Sequence, residues 1–345
     1  MMKTTIKTWA LRSLVALALL GSTRLAAEEP AALKDGALPT YMSKEPGDAN
    51  GQLALLQVNV NKLQIDTTMV MFMLQYGSRV HLERIYFPAN TSDHEIVPGY
   101  IFTPANMPKG EKRPGLVIVH GALHESLDWR FFRLIDAAVA HGYAVIFPEY
   151  HGSIGYGEMI AVNSYGHTDV ADTLAAADFL AKQDYVDPTR MGIFGHSRGG
   201  FITVLAIEQA PKRFQAAVEV SALLDFLAYM TYKPDERRAT IAKEAEFGGK
   251  LPSQNLLPYL EITPLNYVEA IQTPLLALAS TGDKILPTIL NTKRLLELLK
   301  AHDKVFDGKI YDNAPGGHNF LFAESDEQRD CFKRTFDWLD KYLKR

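Results

Sequence analysis

From residue 80 onward, short apolar runs alternate with longer amphipathic ones. His81-Leu82-Glu83-Arg84-Ile85-Tyr86-Phe87 switches sides residue by residue, the pattern of a half-buried strand. Glu95 to Phe102 reads as a second strand, and the two suit the antiparallel start of a mixed sheet. Leu116-Val117-Ile118-Val119-His120 is a continuous apolar run, as expected of a strand covered on both faces. Phe131 to Ala140 predicts a helix, Tyr143 to Phe147 a strand, and Thr168 to Lys182 a helix with Asp169 and Asp172 near its start. Met191 to Phe194 and Phe201 to Gln209 form the next strand and helix. Strands at 216–220, 275–279 and 305–311 and helices at 288–301 and 324–343 complete the series. Such alternation predicts an α/β fold, a mostly parallel sheet with helices on both faces.

Two stretches break the rhythm. Leu53 to Leu74 is apolar and ends Met69-Val70-Met71-Phe72-Met73-Leu74. It reads as a helix packed on the body, since Met fills irregular gaps; the alternatives are a substrate lip or a membrane-facing patch. Residues 222–270 hold Tyr229, Tyr232, Phe247, Gly248-Gly249, Pro252, Pro258 and Pro264. A connection this long is usually functional, and it reads as a small helical cap over the acyl or leaving-group pocket.

Composition narrows the picture. The 345 residues are 47% hydrophobic and 22% charged, which suits one large domain at 51–345. Residues 1–27 read as a signal peptide: Lys3, Lys7 and Arg12, then apolar Leu14 to Leu20, then the small-residue site Leu25-Ala26-Ala27. The apolar run is shorter than the roughly 20 residues a bilayer requires. The expectation is export to the periplasm or medium, with no stable membrane span after cleavage. Residues 28–50 read as a flexible leader. Cleavage moves the formal charge from −4 to −8 and argues against nucleic-acid partners. With a single cysteine, Cys331, the chain has no internal disulfide, and that cysteine falls on the apolar positions of the last helix as a buried thiol.

Gly195-His196-Ser197-Arg198-Gly199 carries the chemistry. The G-x-S-x-G pattern sits between a strand and a helix, the context of a nucleophile elbow. A side chain at 195 or 199 would collide with neighbouring backbone. The serine stands at a helix N-terminus, where free N–H groups favour a developing oxyanion. A serine hydroxyl requires a base, and the base an orienting acid. In an α/β-hydrolase these follow in the order Ser, Asp or Glu, His. Asp283, after the strand 275–279, and His318, in Pro315-Gly316-Gly317-His318, fit that order. Asp225 is a rival acid. His196 reads as packing. His120 and His124 lack carboxylates or cysteines at ligand spacing, so neither metal nor cofactor is expected.

Longer stretches resemble the catalytic domain of the prolyl oligopeptidase family of serine peptidases. Glu149-Tyr150-His151-Gly152-Ser153-Ile154-Gly155-Tyr156-Gly157 is similar to that family's N-Y-R-G-S-x-G-Y-G. Val186-Asp187-Pro188-Thr189-Arg190 through Gly200 is similar to V-D-P-x-R followed by its serine motif. Thr263-Pro264-Leu265-Asn266-Tyr267, Asp283-Lys284-Ile285-Leu286-Pro287 and Gly317-His318 match further segments. The likeness covers roughly residues 80–343. It implies an α/β-hydrolase fold and a triad of Ser197, Asp283 and His318, with His151 and Tyr156 bordering the substrate. There are departures. The chain is too short for the family's large N-terminal β-propeller. His120-Gly121-Ala122-Leu123 stands where the larger members carry a tyrosine that helps hold the oxyanion. The expected donors are therefore the backbone N–H groups of Ala122 and Arg198, as in dienelactone hydrolases. Arg198 also takes a position where tyrosine is common, and Ser280 replaces a glycine before the acid. The expected substrate is a short peptide or a small ester. A small-acyl carboxylesterase and a non-catalytic binding protein on the same fold are the alternatives. The sequence leaves the oligomeric state open.

Overall fold

The computed structural model describes residues 49–90, 95–108, 110–162 and 165–344. The expected signal peptide and almost all of the expected leader lie outside the described residues. By internal contacts the chain divides into residues 1–58 and residues 59–345, and the second unit carries the sheet.

Eight strands form one sheet: β1 Val80–Pro88, β2 Ile96–Pro104, β3 Arg113–Val119, β4 Ala144–Pro148, β5 Val186–His196, β6 Ala216–Val220, β7 Leu275–Ser280 and β8 Phe306–Tyr311. Their order is β1-β2-β4-β3-β5-β6-β7-β8. The pairings of β1 with β2 and of β2 with β4 are antiparallel, and the rest are parallel. The apolar run that predicted a doubly covered strand is buried in β3 from Pro114 to Val119, and β4, β6 and β7 are buried along their whole length. The edge strand β8 alternates instead.

Helix α1, Ala49–Tyr76, precedes the sheet. Helices α2 Phe132–Ala140, α3 Thr168–Ala181, α4 Arg198–Gln209, α8 Thr292–Ala301 and α9 Asp326–Leu343 connect or follow the strands. Between β6 and β7 lie three short helices, α5 Phe226–Tyr232, α6 Asp235–Ala242 and α7 Leu257–Glu261. Two apolar layers result. One gathers α3, α4 and the short helices through Phe201, Phe226, Phe247 and Tyr259. The other gathers α1, α2 and α9 through Phe72, Phe132, Phe336 and Leu339. Cys331 is buried in the second layer, and burial raises its thiol pKa far above the usual value. Among the described residues no helix is long and apolar enough to cross a membrane.

The chain runs from β3 to β4 on one side, then returns past β3 to β5 on the other. Loops leaving β3 and β5 therefore diverge and leave a crevice at their carboxyl ends, where open α/β sheets place ligands.

Candidate active site

The turn from β5 into α4 is as tight as its glycines suggested. A Cβ on Gly195 would lie 2.0 Å from the Gly199 carbonyl oxygen, and one on Gly199 would lie 2.1 Å from that of Val119. Ser197 sits between them at φ 59°, ψ −118°, a left-side conformation costly for any residue with a Cβ. Hydrogen bonds hold it there: its N–H donates to Val220 O at 2.9 Å, and its carbonyl accepts from Phe201 N–H at 3.1 Å.

His318 arrives on the loop after β8. Gly316 and Gly317 precede it at φ 87° and 56°, and a Cβ on Gly317 would meet Gly282 O at 2.7 Å. His318 Nε2 lies 2.8 Å from Ser197 Oγ, and its Nδ1 lies 2.7 Å from Asp283 Oδ2. The other oxygen of Asp283 accepts the N–H groups of Ile285 and Leu286, each at 2.8 Å. Asp283 and His318 are both buried. The three expected residues, far apart in sequence, thus form one hydrogen-bonded line. Asp225 stands apart from it: it caps α5 through Ala228 N–H and pairs with Arg294 at 2.9 Å.

Ser280 stands where the family pattern has a glycine. Its hydroxyl accepts Gly282 N–H at 3.1 Å and Ala314 N–H at 3.0 Å, so it ties the acid's loop to the histidine's loop. A local motif gives no sign of such a bridge, because its partners lie 2 and 34 residues away.

The loop after β3 carries Ala122 at φ 56°. Its anchor is His120, a buried ring stacked on Tyr150 at 4.3 Å and bonded through Nε2 to Ser153 Oγ at 3.0 Å. Burial pushes the His120 pKa down to about 4, so the ring is neutral at ordinary pH. Tyr150 Oη also donates to His120 O at 2.9 Å. Gly121 then passes close to the serine: a Cβ there would lie 3.1 Å from Ser197 Cβ. The N–H groups of Ala122 and Arg198 find no backbone acceptor among the described residues, and both residues line a cavity of about 250 Å³ together with Ser197 and His318.

The short helices between β6 and β7 supply Phe226, Tyr229 and Arg237 to that cavity, and Tyr165, Phe131 and Phe322 complete its aromatic wall. His196 also lines it. Its Nε2 donates to His318 O at 2.9 Å and its ring lies edge-on to Phe322, while burial drives its pKa down to about 3. It is a neutral support beneath the histidine loop.

The side chain of Arg198 turns away from the chemistry. Its guanidinium is buried, donates to Asp169 Oδ2 at 2.9 Å and lies 4.1 Å over the Tyr165 ring. It holds a pocket wall in place.

His151 and Tyr156 are not among the residues that line this cavity. His151 is clamped between Asp172 at 2.6 Å and Glu95 at 3.0 Å, and the Asp172 hydrogen bond raises its pKa. Tyr156 pairs its hydroxyl with Tyr100 at 2.5 Å, and Arg84 lies over its ring. Both sit on the turn leaving β4, and β3 separates that strand from β5 and its serine. Among the described residues no group of three or more His, Cys, Asp or Glu is arranged to hold a metal ion.

Residues 129–345 match the model of the prolyl oligopeptidase family. The chain belongs to that family. Its relatives include the acylamino-acid-releasing enzyme of Arabidopsis thaliana, 27% identical over 260 residues that make up 71% of this chain and 32% of that protein. The uncharacterized peptidase YuxL of Bacillus subtilis is 29% identical over 73% of this chain and 38% of its own length. The chain thus spans about a third of the length of the curated relatives it matches. Among solved structures, the acylaminoacyl peptidase of Pyrococcus horikoshii superposes with a TM-score of 0.66 at 23% identity, over 79% of this chain and 43% of that one. At that identity the likeness establishes the shared α/β-hydrolase fold.

Proposed function

We propose that this family member is a serine hydrolase cleaving short peptides or acyl peptides through Ser197, His318 and Asp283. The unbroken line from Asp283 through His318 to Ser197, opening on the cavity, carries the reading. Ser197 Oγ attacks the acyl carbon while His318 Nε2 takes its proton. Asp283 keeps the remaining imidazole proton on Nδ1 and stabilises the imidazolium. The N–H groups of Ala122 and Arg198 bind the oxyanion, each donor worth about 3 kcal/mol in comparable sites. Collapse of the tetrahedral adduct breaks the acyl–leaving-group bond, and the leaving amine departs with the proton from His318. Water gives a proton to His318 as its oxygen attacks the acyl carbon; the Ser197 Oγ–acyl bond then breaks, the acid leaves, and His318 returns the proton to Ser197 Oγ. No step draws on a metal or cofactor. The names of the relatives support blocked or short peptides as substrates.

A carboxylesterase is the second reading. It is favoured by oxyanion donors that are both backbone groups, with Ala122 in the place of the larger peptidases' tyrosine. A fluorophosphonate probe should label the wild type and leave Ser197→Ala unlabelled; equal labelling of the two would remove Ser197 as nucleophile. Acyl-peptide and aminoacyl anilides, run beside short acyl esters, then separate the readings: turnover of esters alone would end the peptidase assignment. We place the protein outside the cytoplasm after cleavage near residue 27, on the residues of that segment alone. N-terminal sequencing of the exported chain tests this, and an intact Met1 would refute it.

A further inference from the structure

Helix α1 is apolar on two faces, yet the body covers only one. Ile65 and Phe72, seven residues apart, are 4% and 0% exposed. Phe72 packs edge-on against Phe102 and Phe132, each at 5.0 Å. The opposite face carries Val60, Leu63, Thr67, Val70 and Leu74, all exposed, with Leu63 at 66%, Val70 at 57% and Leu74 at 77%. Met71 and Met73 flank them and are exposed as well. The described residues leave this second face without cover.

The spacing of the open face identifies what covers it. Leu53, Leu56, Val60, Leu63, Thr67, Val70 and Leu74 follow one another at intervals of three and four residues without a break. This is the a/d spacing of a heptad seam, and it runs for three heptads. A stripe at these intervals fits the groove of another helix. The positions beside the seam are nearly uncharged: Lys62 and Asp66 are the only charged residues between 49 and 76. Two copies therefore meet without like-charge repulsion. The shortage of Lys and Arg also argues against a membrane surface, which such helices grip with basic residues.

We infer that α1 pairs with α1 of a second copy of this chain, so that the protein is a homodimer held by a two-helix seam. The pairing is isologous, the commonest closed symmetry, because one patch serves both sides. Twenty-two residues of helix make a seam about 33 Å long. Doubled across the two-fold, the buried surface is on the order of 1,000 Å², the lower bound for a specific interface. Thr67 is the one polar residue in the seam, and it weakens the pairing where Ile would strengthen it.

Sedimentation of the purified full chain over 1–100 µM, with and without neutral or anionic vesicles, tests the inference. A dimer is expected for the wild type, and a monomer with unchanged melting temperature and hydrolytic rate for Leu63→Glu/Val70→Glu. Thr67→Ile should tighten the dimer by tenfold or more in Kd. A wild type that stays monomeric at 100 µM overturns the proposal, whether the leader folds over the seam or vesicles capture it. A dimer that survives the double charge substitution overturns it too, because the contact then lies elsewhere.

Discussion

Replacing Asp283 by Asn would stop the chemistry while leaving the fold untouched, for a reason specific to this site. Asp283 Oδ1 accepts two backbone N–H groups, from Ile285 and Leu286 at 2.8 Å each. An asparagine must keep its carbonyl oxygen on those donors, so its NH₂ group faces His318 Nδ1. Nδ1 must then accept, and the ring proton moves to Nε2. That nitrogen, 2.8 Å from Ser197 Oγ, can no longer take the serine's proton. The same tautomer error in a serine protease triad costs about 10⁴ in kcat, or about 5.5 kcal/mol. We expect a comparable loss here with KM nearly unchanged, because Asp283 does not line the cavity. The melting temperature should move by only a few degrees, since every hydrogen bond of the carboxylate has an amide counterpart. Initial rates on an acyl ester and an anilide, with a thermal melt of each protein, make the assay. A variant within tenfold of wild type would show that His318 does not take its orientation from Asp283, and the triad argument would fail.

Two further outcomes follow from buried charge. Arg198→Met strands Asp169, fully buried in its pair, and should destabilise the protein by about 3–5 kcal/mol in urea unfolding. The Asp169→Ala/Arg198→Met double variant should lose less than the sum of the singles, and additivity within about 0.5 kcal/mol would deny the coupling. Burial pushes Glu149 from 4.5 up to about 8. Between those values the folded protein keeps a proton that the unfolded chain has released, so stability falls with rising pH by about 1.4 kcal/mol per unit and is level below pH 4.5. Glu149→Gln preserves an acceptor for Leu127 N–H, now 2.8 Å from the carboxylate, and should gain on the wild type steadily from pH 5 to 8. A stability gap that stays constant over that range would contradict the assignment.

The sheet and the hydrogen-bonded line of Ser197, His318 and Asp283 were legible in the sequence because their signals are local. Alternation marks β1, and continuous apolar runs mark β4 and β7. Steric crowding at Gly195 and Gly199 dictates the elbow from five residues alone, and the glycines before His318 mark its loop. The pocket walls carry no such signal, since they are made by residues that meet only after packing. His151 and Tyr156 stand beside a familiar motif, yet sheet order puts β3 between their strand and the serine. Arg198 follows the serine in sequence, but its side chain belongs to Asp169 and Tyr165. Ser280, in the place of a glycine, ties two loops whose partners are distant in sequence. Local stereochemistry and hydrophobic period decide which strands and turns form. Which side chains share a cavity, and which apolar face is left open on α1, depends on the order in which those elements stack, a property that no short stretch of chain encodes.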